Sequence, residues 1–202
     1  METLRLFDFL PSANGYKIRL LLTQLGIPFE RINFDITKNE TRSPDFLSKN
    51  PNGQIPVLEV QPGQYLAESN AILIYLSEGT EYLPYDRWQR AQVIQWLFFE
   101  QCNYAYIATP RLWISILHQY DQHRTEIEKL YQHGYTALQI MENHLQTNNF
   151  FVGGRYSIAD ISLFAHTHVA PEGGYDLTQF PAIGTWIERI KSQPGYIDIT
   201  EE

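Results

Sequence analysis

Residues 50–59 read NPNGQIPVLE, and they put a proline where a strand is due. Val57, Leu58 and Val60 are strand formers, Asn52-Gly53 just upstream is a turn signal, and Pro56 brings no N–H to a ladder. A proline entering a strand marks an edge, a bulge or a cis peptide. Of the three, a cis Ile55-Pro56 bond has the sharpest functional consequence. It turns the Ile55 amide and carbonyl away from the sheet, where they can pair with an extended, peptide-like ligand.

Upstream, LRLFDFL (residues 4–10) reads as a buried strand and PSANG as a loop. A helix is expected over 16–25, with Ile18, Leu21, Leu22 and Leu25 on one face. Gly26 and Pro28 stop it, and Ile32, Phe34 and Ile36 alternate as a second strand. Residues 44–49 form a short helical stretch. Downstream, QIPVLEV and YLA flank QPGQ, whose Pro62 and Gly63 suit the central positions of a type II turn, so the pair reads as a hairpin. Ser69 is placed to cap a helix through Ile72, Leu73 and Leu76. The order is β-α-β-(α)-β-β-α over residues 1–79, and TEYLPYD (residues 80–86) is the linker.

From 87 to 202 no strand is legible, and this part reads as all-α. Helices are expected over 87–107, 110–120, 158–168 and 181–192. A further one follows the apolar stripe Ile127, Leu130, Gly134, Leu138, Met141 and Leu145.

The chain has 202 residues, 44% of them hydrophobic and 14% aromatic, which is a globular composition. Its net charge of −8 argues against a nucleic-acid or anionic-membrane partner, because no basic stripe can replace phosphate counterions. METLRLFDFL has no basic n-region with a long apolar run behind it, and no later run reaches spanning length, so no membrane partner and a cytoplasmic address are expected. The single cysteine, Cys102, forms no intramolecular disulfide and is expected to be a buried, inert thiol.

A small β-α-β-α-β-β-α unit with a proline entering its third strand, followed by a helical unit, resembles a cytosolic glutathione transferase: a thioredoxin-like α/β N-terminal domain plus an all-α C-terminal domain. NPNGQIPVLE, ESNAILIYL, YLP at the linker, FFVGGRYSIADISLF and FPAIGTWIERIKSQPGY carry the resemblance in family order, and FLPSANGYKIRLLL is similar to the cyanobacterial chi class. The resemblance implies that Pro56 is cis and that Ile55 pairs with the cysteinyl residue of glutathione. It further implies a detoxification enzyme that conjugates glutathione, as co-substrate, to small hydrophobic electrophiles such as isothiocyanates or halogenated aromatics, and that works as a homodimer. The alternative is a glutathione-binding or partner-binding protein of the same fold with little turnover.

Glutathione is an anionic tripeptide with a thiol, so its site needs strand-like pairing, donors for carboxylates and a group that favours thiolate. Glu68 and Ser69 open a helix whose free amides suit the γ-glutamyl end. Gln54 resembles the position that meets the cysteinyl-glycine end, and Lys38 or Arg42 are candidates for the glycine carboxylate. For the thiolate, Ser12 resembles the serine of the serine-type classes and Asn14 offers an amide donor nearby. The tyrosine of other classes is replaced by Phe7 and Phe9, which have no hydroxyl, and the loop has no cysteine nucleophile. The electrophile is expected between the two halves, lined by Leu10, Phe99, Tyr104, Tyr106, Arg111 and Trp113, with Arg111 either stabilising charge that develops on the electrophile or, by default, paired at the surface.

No metal is expected, because His166 and His168 point to different sides of a helix and the other histidines lack ligand spacing. SIAD (residues 157–160) has the form of a capping box.

Overall fold

The computed structural model describes residues 3–201. The chain divides into two compact units, one running to Glu78 and including the segment from Pro194 onward, the other Gly79–Gln193. The sequence division left that last segment with the helical part.

The first unit contains β1 (Leu4–Asp8), α1 (Ala13–Gln24), β2 (Phe29–Asn33), α2 (Pro44–Lys49), β3 (Val57–Gln61), β4 (Gln64–Ala67) and α3 (Ser69–Ser77). Its sheet has the order β2-β1-β3-β4, with β1 parallel to β2 and antiparallel to β3, and β3 antiparallel to β4. The hairpin turn needs a positive φ, and Gly63 supplies it at +77° while its N–H donates to Glu59 Oε1.

Register sorts the core. Phe7 pairs with Val57, and both pack with Phe46 of α2. Leu6 pairs with Leu58, and period-2 alternation puts these two fully buried residues on the opposite face. Two expectations shift. Helix α1 begins at Ala13 rather than Tyr16, because Ser12 caps it. Strand β2 stops at Asn33, because Asp35 caps a tight turn over Ile36–Lys38. Phe34 still donates its N–H to Asp8 O at 2.7 Å, so Ile36 alone is lost from the alternation.

Residues 194–201 lie along α1 as a strap. Tyr16 donates its O–H to Ile197 O at 2.7 Å, and the Arg19 guanidinium donates to Ile199 O at 3.0 Å and Glu201 O at 2.6 Å.

The second unit contains α4 (Arg87–Arg111), α5 (Tyr120–Leu145), α6 (Ile158–Thr167) and α7 (Pro181–Lys191). Helix α4 packs on α5 and α6, and α7 packs on both α5 and α6. The predicted α5 stripe faces inward, with Ile127, Gly134, Leu138, Met141 and Leu145 all buried. Pro110 does not start a new helix: α4 runs through it, and a π-helical turn, Leu112–Ile116, follows. The SIAD segment is a capping box, with Ser157 Oγ accepting from Ala159 N and Asp160 accepting from Ser157 N.

Candidate functional site

In the first unit the loop after β1 delivers Ser12 and Asn14. Ser12 Oγ accepts from Gly15 N at 3.3 Å, which uses an oxygen lone pair and not the hydroxyl proton. The hydroxyl therefore keeps its donor while it caps α1. Below it, Arg19 and Asp8 form an ion pair at 3.0 Å with both side chains fully buried. Arg19 also donates to Leu10 O at 2.7 Å, so one buried cation holds the strand end, the loop and the strap. Burial pushes the Asp8 carboxyl up to about 6, against the opposing pull of Arg19.

Helix α3 brings the second group. Glu68, and not Ser69, occupies its N-cap position, with φ at +69°, a region that non-glycine residues seldom adopt. Ser69 is the first helical residue. Its hydroxyl donates to Asn14 Oδ1 at 3.3 Å and accepts from the Lys17 amine at 3.2 Å. The structure thus brings a candidate thiol residue and a candidate anion residue into direct contact.

The Ile55-Pro56 peptide is cis. Gln54 is exposed: its main-chain carbonyl accepts from Asn50 Nδ2 at 2.7 Å, and its side-chain Oε1 accepts from Asn52 Nδ2 at 3.0 Å. Arg42 donates to Asn52 O, the residue after Pro51 in the same turn, while Lys38 pairs with Asp35 at 3.1 Å. Of the two loop cations, Arg42 is tied to the Gln54 turn.

The electrophile candidates are dispersed. Leu10 belongs to the first unit, where its carbonyl serves Arg19. In the second unit Phe99 and Tyr104 border a cavity of about 20 Å³, room for one water, together with Glu100, Met141 and His166. Glu100 and His166 are buried 3.6 Å apart there, and Tyr104 lies against the His166 ring at 5.1 Å. Tyr106, Arg111 and Trp113 do not line this cavity. Tyr106 stacks on His133 and Trp113 on His123. Arg111 is buried and paired with Glu172 at 2.7 Å, so its charge is balanced within its own unit and the surface position is corrected. Cys102 is exposed on α4, not buried: it falls on the outward stripe of that helix with Trp88, Gln95 and Phe98. Among the described residues no group of three or more His, Cys, Asp and Glu is arranged to hold a metal ion, and no helix is long and apolar enough to cross a membrane.

Sequence reading missed Asp8, Lys17 and Arg19. The signal was present in ANGYKIRLLL, where two cations interrupt a helix whose residues from Gly15 to Leu22 are all buried. Charged residues are rarely fully buried unless paired, so each interruption pointed to a partner.

Residues 2–78 match the family description "Glutathione S-transferase, N-terminal domain" and residues 104–194 match "Glutathione S-transferase, C-terminal domain". The chain is 30% identical over 203 residues to the disulfide-bond oxidoreductase YfcG of Escherichia coli (strain K12), covering 93% of this chain and 90% of that one. Among solved structures it is similar to a possible glutathione S-transferase from Rhodopseudomonas palustris, with a TM-score of 0.97 and 43% identity over 100% of this chain and 91% of the other. It is also similar to a glutathione transferase from Burkholderia graminis that has two glutathione molecules bound per subunit, with a TM-score of 0.82 and 26% identity over 96% and 85% of the two chains. With its mixed four-stranded sheet and separate helical unit, the chain belongs to the glutathione S-transferase family.

Proposed function

We propose that this protein is a glutathione transferase that binds glutathione on its first unit and attacks small hydrophobic electrophiles with the bound thiolate. The observation that carries the reading is the hydrogen bond from Ser69 to Asn14, which joins an anion-suited helix start to the loop of Ser12. Ile55 offers main-chain pairing beside the cis peptide, Gln54 and Arg42 lie at the glycine end, and Glu68 faces the ligand's ammonium group. Ser12 or Asn14 donates to the sulfur. A free cysteine thiol titrates near 8.5, and each unit of depression corresponds to about 1.36 kcal/mol of preference for thiolate. One hydroxyl or amide donor beside a helix N-terminus suffices for one or two units.

The thiolate then adds to the central carbon of an isothiocyanate, whose nitrogen takes the proton, or displaces halide from an activated halogenated ring. The chi-class similarity of FLPSANGYKIRLLL directs the choice of these substrates and of a detoxifying, cytoplasmic role. Trp88 and Phe98, 71% and 67% exposed on α4, support a homodimer, which sedimentation would report as twice 23.6 kDa.

The likeness to a relative named for disulfide-bond chemistry favours a second reading at the same site. The loop has no cysteine, so the nucleophile in either reading is glutathione itself. One glutathione thiolate attacks a disulfide sulfur and releases a thiolate. A second glutathione resolves the mixed disulfide, giving glutathione disulfide.

The test is the thiolate absorbance of the glutathione complex across pH for wild type, Ser12→Ala and Asn14→Ala, followed by rates with benzyl isothiocyanate and hydroxyethyl disulfide. A depressed thiol pKa lost in one variant identifies the donor, and the ratio of the two rates separates the readings. Binding without depression would leave a glutathione-binding protein of little turnover.

A further inference from the structure

The buried guanidinium of Arg19 is shared between two distant parts of the chain. Nε donates to Asp8 Oδ2 at 3.0 Å and Nη1 to Glu201 O at 2.6 Å, while Nη2 donates to both Leu10 O at 2.7 Å and Ile199 O at 3.0 Å. One hydrogen of Nη2 therefore holds the residue two places before Ser12, and the other holds the strap. The group is planar and rigid, so its placement against one acceptor fixes its placement against the other. Tyr16 backs it, with the guanidinium carbon 5.5 Å from the ring centroid, and the Tyr16 hydroxyl donates to Ile197 O of the same strap.

A second path joins Arg19 to that loop. Its ion pair fixes the Asp8 carboxylate, whose Oδ1 lies so close to Gly15 that a Cβ there has no room. Gly15 in turn donates its N–H to Ser12 Oγ at 3.3 Å. When the strap lifts, Arg19 loses the Ile199 and Glu201 carbonyls. Unmet buried donors are costly, so the guanidinium re-aims, and Leu10 O and Asp8 lose the geometry it imposes.

We infer that Arg19 is a positioning residue for the loop that carries Ser12 and Asn14, and that the strap over residues 194–201 is the lock that holds it in place. With the strap docked, the loop presents its donor to the glutathione sulfur. With the strap released, the donor is displaced. The inference rests on the glutathione reading above and adds a control on thiolate formation, exerted by a segment about 180 residues along the chain.

The experiment compares wild type with Ile199→Gly, which removes a buried strap side chain and leaves the loop and α1 unchanged in sequence. Tyr175→Phe, which deletes one hydrogen bond of the second unit, is the control for lowered stability alone. The thiol pKa of bound glutathione, read from thiolate absorbance, should rise in Ile199→Gly by about half a unit or more, roughly a threefold loss of thiolate near neutral pH. Affinity for S-hexylglutathione, which has no thiol to ionise, should change by about twofold or less. Tyr175→Phe should keep the wild-type thiol pKa. An unchanged pKa in folded Ile199→Gly overturns the inference, and so does an equal rise in Tyr175→Phe. If wild type binds glutathione without lowering its thiol pKa, thiolate formation at this loop fails and the inference falls with it.

Should Ile199→Gly fail to fold, the wild-type protein answers through hydrogen exchange. Coupling is reciprocal, so a thiolate favoured by the docked strap must itself favour docking. The Glu201 N–H, which donates to Asp198 O at 3.0 Å, reports on the strap. At one pH and with saturating ligand, it should exchange about twofold or more slowly with glutathione than with S-hexylglutathione. Equal exchange with the two ligands overturns the inference.

Discussion

The phenol of Tyr175 donates to the main-chain carbonyl of Tyr106 at 2.6 Å, and Tyr106 is the residue four positions before Pro110. A proline inside a helix leaves the carbonyl at i−4 without its amide. Tyr175 fills that vacancy from outside the helix, which is how α4 continues through Pro110 to Arg111. Tyr175→Phe is therefore expected to destabilise the second unit by about 1–3 kcal/mol, the cost of a buried unmet acceptor. Pro110→Ala restores the helical amide, so the double variant should cost less than the sum of the two single changes. Urea unfolding of the four proteins of this cycle measures the coupling, and strict additivity would count against the account.

Two glycines should respond in opposite ways to alanine. At Gly15 a Cβ would sit 1.6 Å from Asp8 Oδ1, and Asp8 is held in place by Arg19. At Gly184, inside α7, a Cβ meets nothing within 4 Å. Gly184→Ala should raise stability by about 0.8–1 kcal/mol through helix propensity alone. Gly15→Ala should cost several times that and perturb the Ser12 loop, readable as a loss of glutathione affinity together with melting temperature.

Asp160 accepts from Phe151 N, Ser157 N, Ser157 Oγ and the Trp186 indole, all between 3.0 and 3.1 Å. Removing it strands several buried donors at about 1–3 kcal/mol each. Asp160→Ala should cut the yield of folded protein severely while turnover per folded molecule stays within about twofold. The reverse pattern, full yield with lost turnover, would give Asp160 a catalytic role instead.

Burial pulls the His168 imidazole down to about 4, from 6.5 for a free side chain. Between those values the unfolded chain holds a proton that the folded protein lacks, so this share of stability is complete above about 6.5 and lost as pH falls through 4. Asp8 and Asp160, pushed up to about 6 by burial, act with the opposite sign, losing stability as pH rises from about 4 to 6. His168→Gln isolates the first effect. The stability gap between wild type and variant should widen by about 1.4 kcal/mol per pH unit from 4.5 to 6. Parallel curves in calorimetry would refute it.

The succession of elements in the first unit and the hairpin were legible because Pro56, Asn52-Gly53 and Pro62-Gly63 are local signals with local causes. Pro110 misled because the group that satisfies its missing hydrogen bond is 65 residues away in sequence. Arg111 and Cys102 misled for a related reason: which face of a long helix is covered depends on partners such as Glu172 that spacing alone does not name. At the candidate site Ser12, Asn14 and Ser69 carried recognisable residue types. Lys17 and Arg19 were visible only as interruptions of an apolar helix, and their partners come from α3, β1 and the strap.

Arg19 and its strap acceptor Ile199 are 180 residues apart in the chain. At about 5–20 residues per second, a ribosome delivers Ile199 roughly 9–36 s after Arg19. During that interval the nascent first unit has its sheet sequence complete, yet its buried guanidinium lacks two of its acceptors. Its final closure is thus deferred until the helical unit has been made, and a nascent chain stalled near residue 190 should expose α1 to protease that the chain carrying the strap resists.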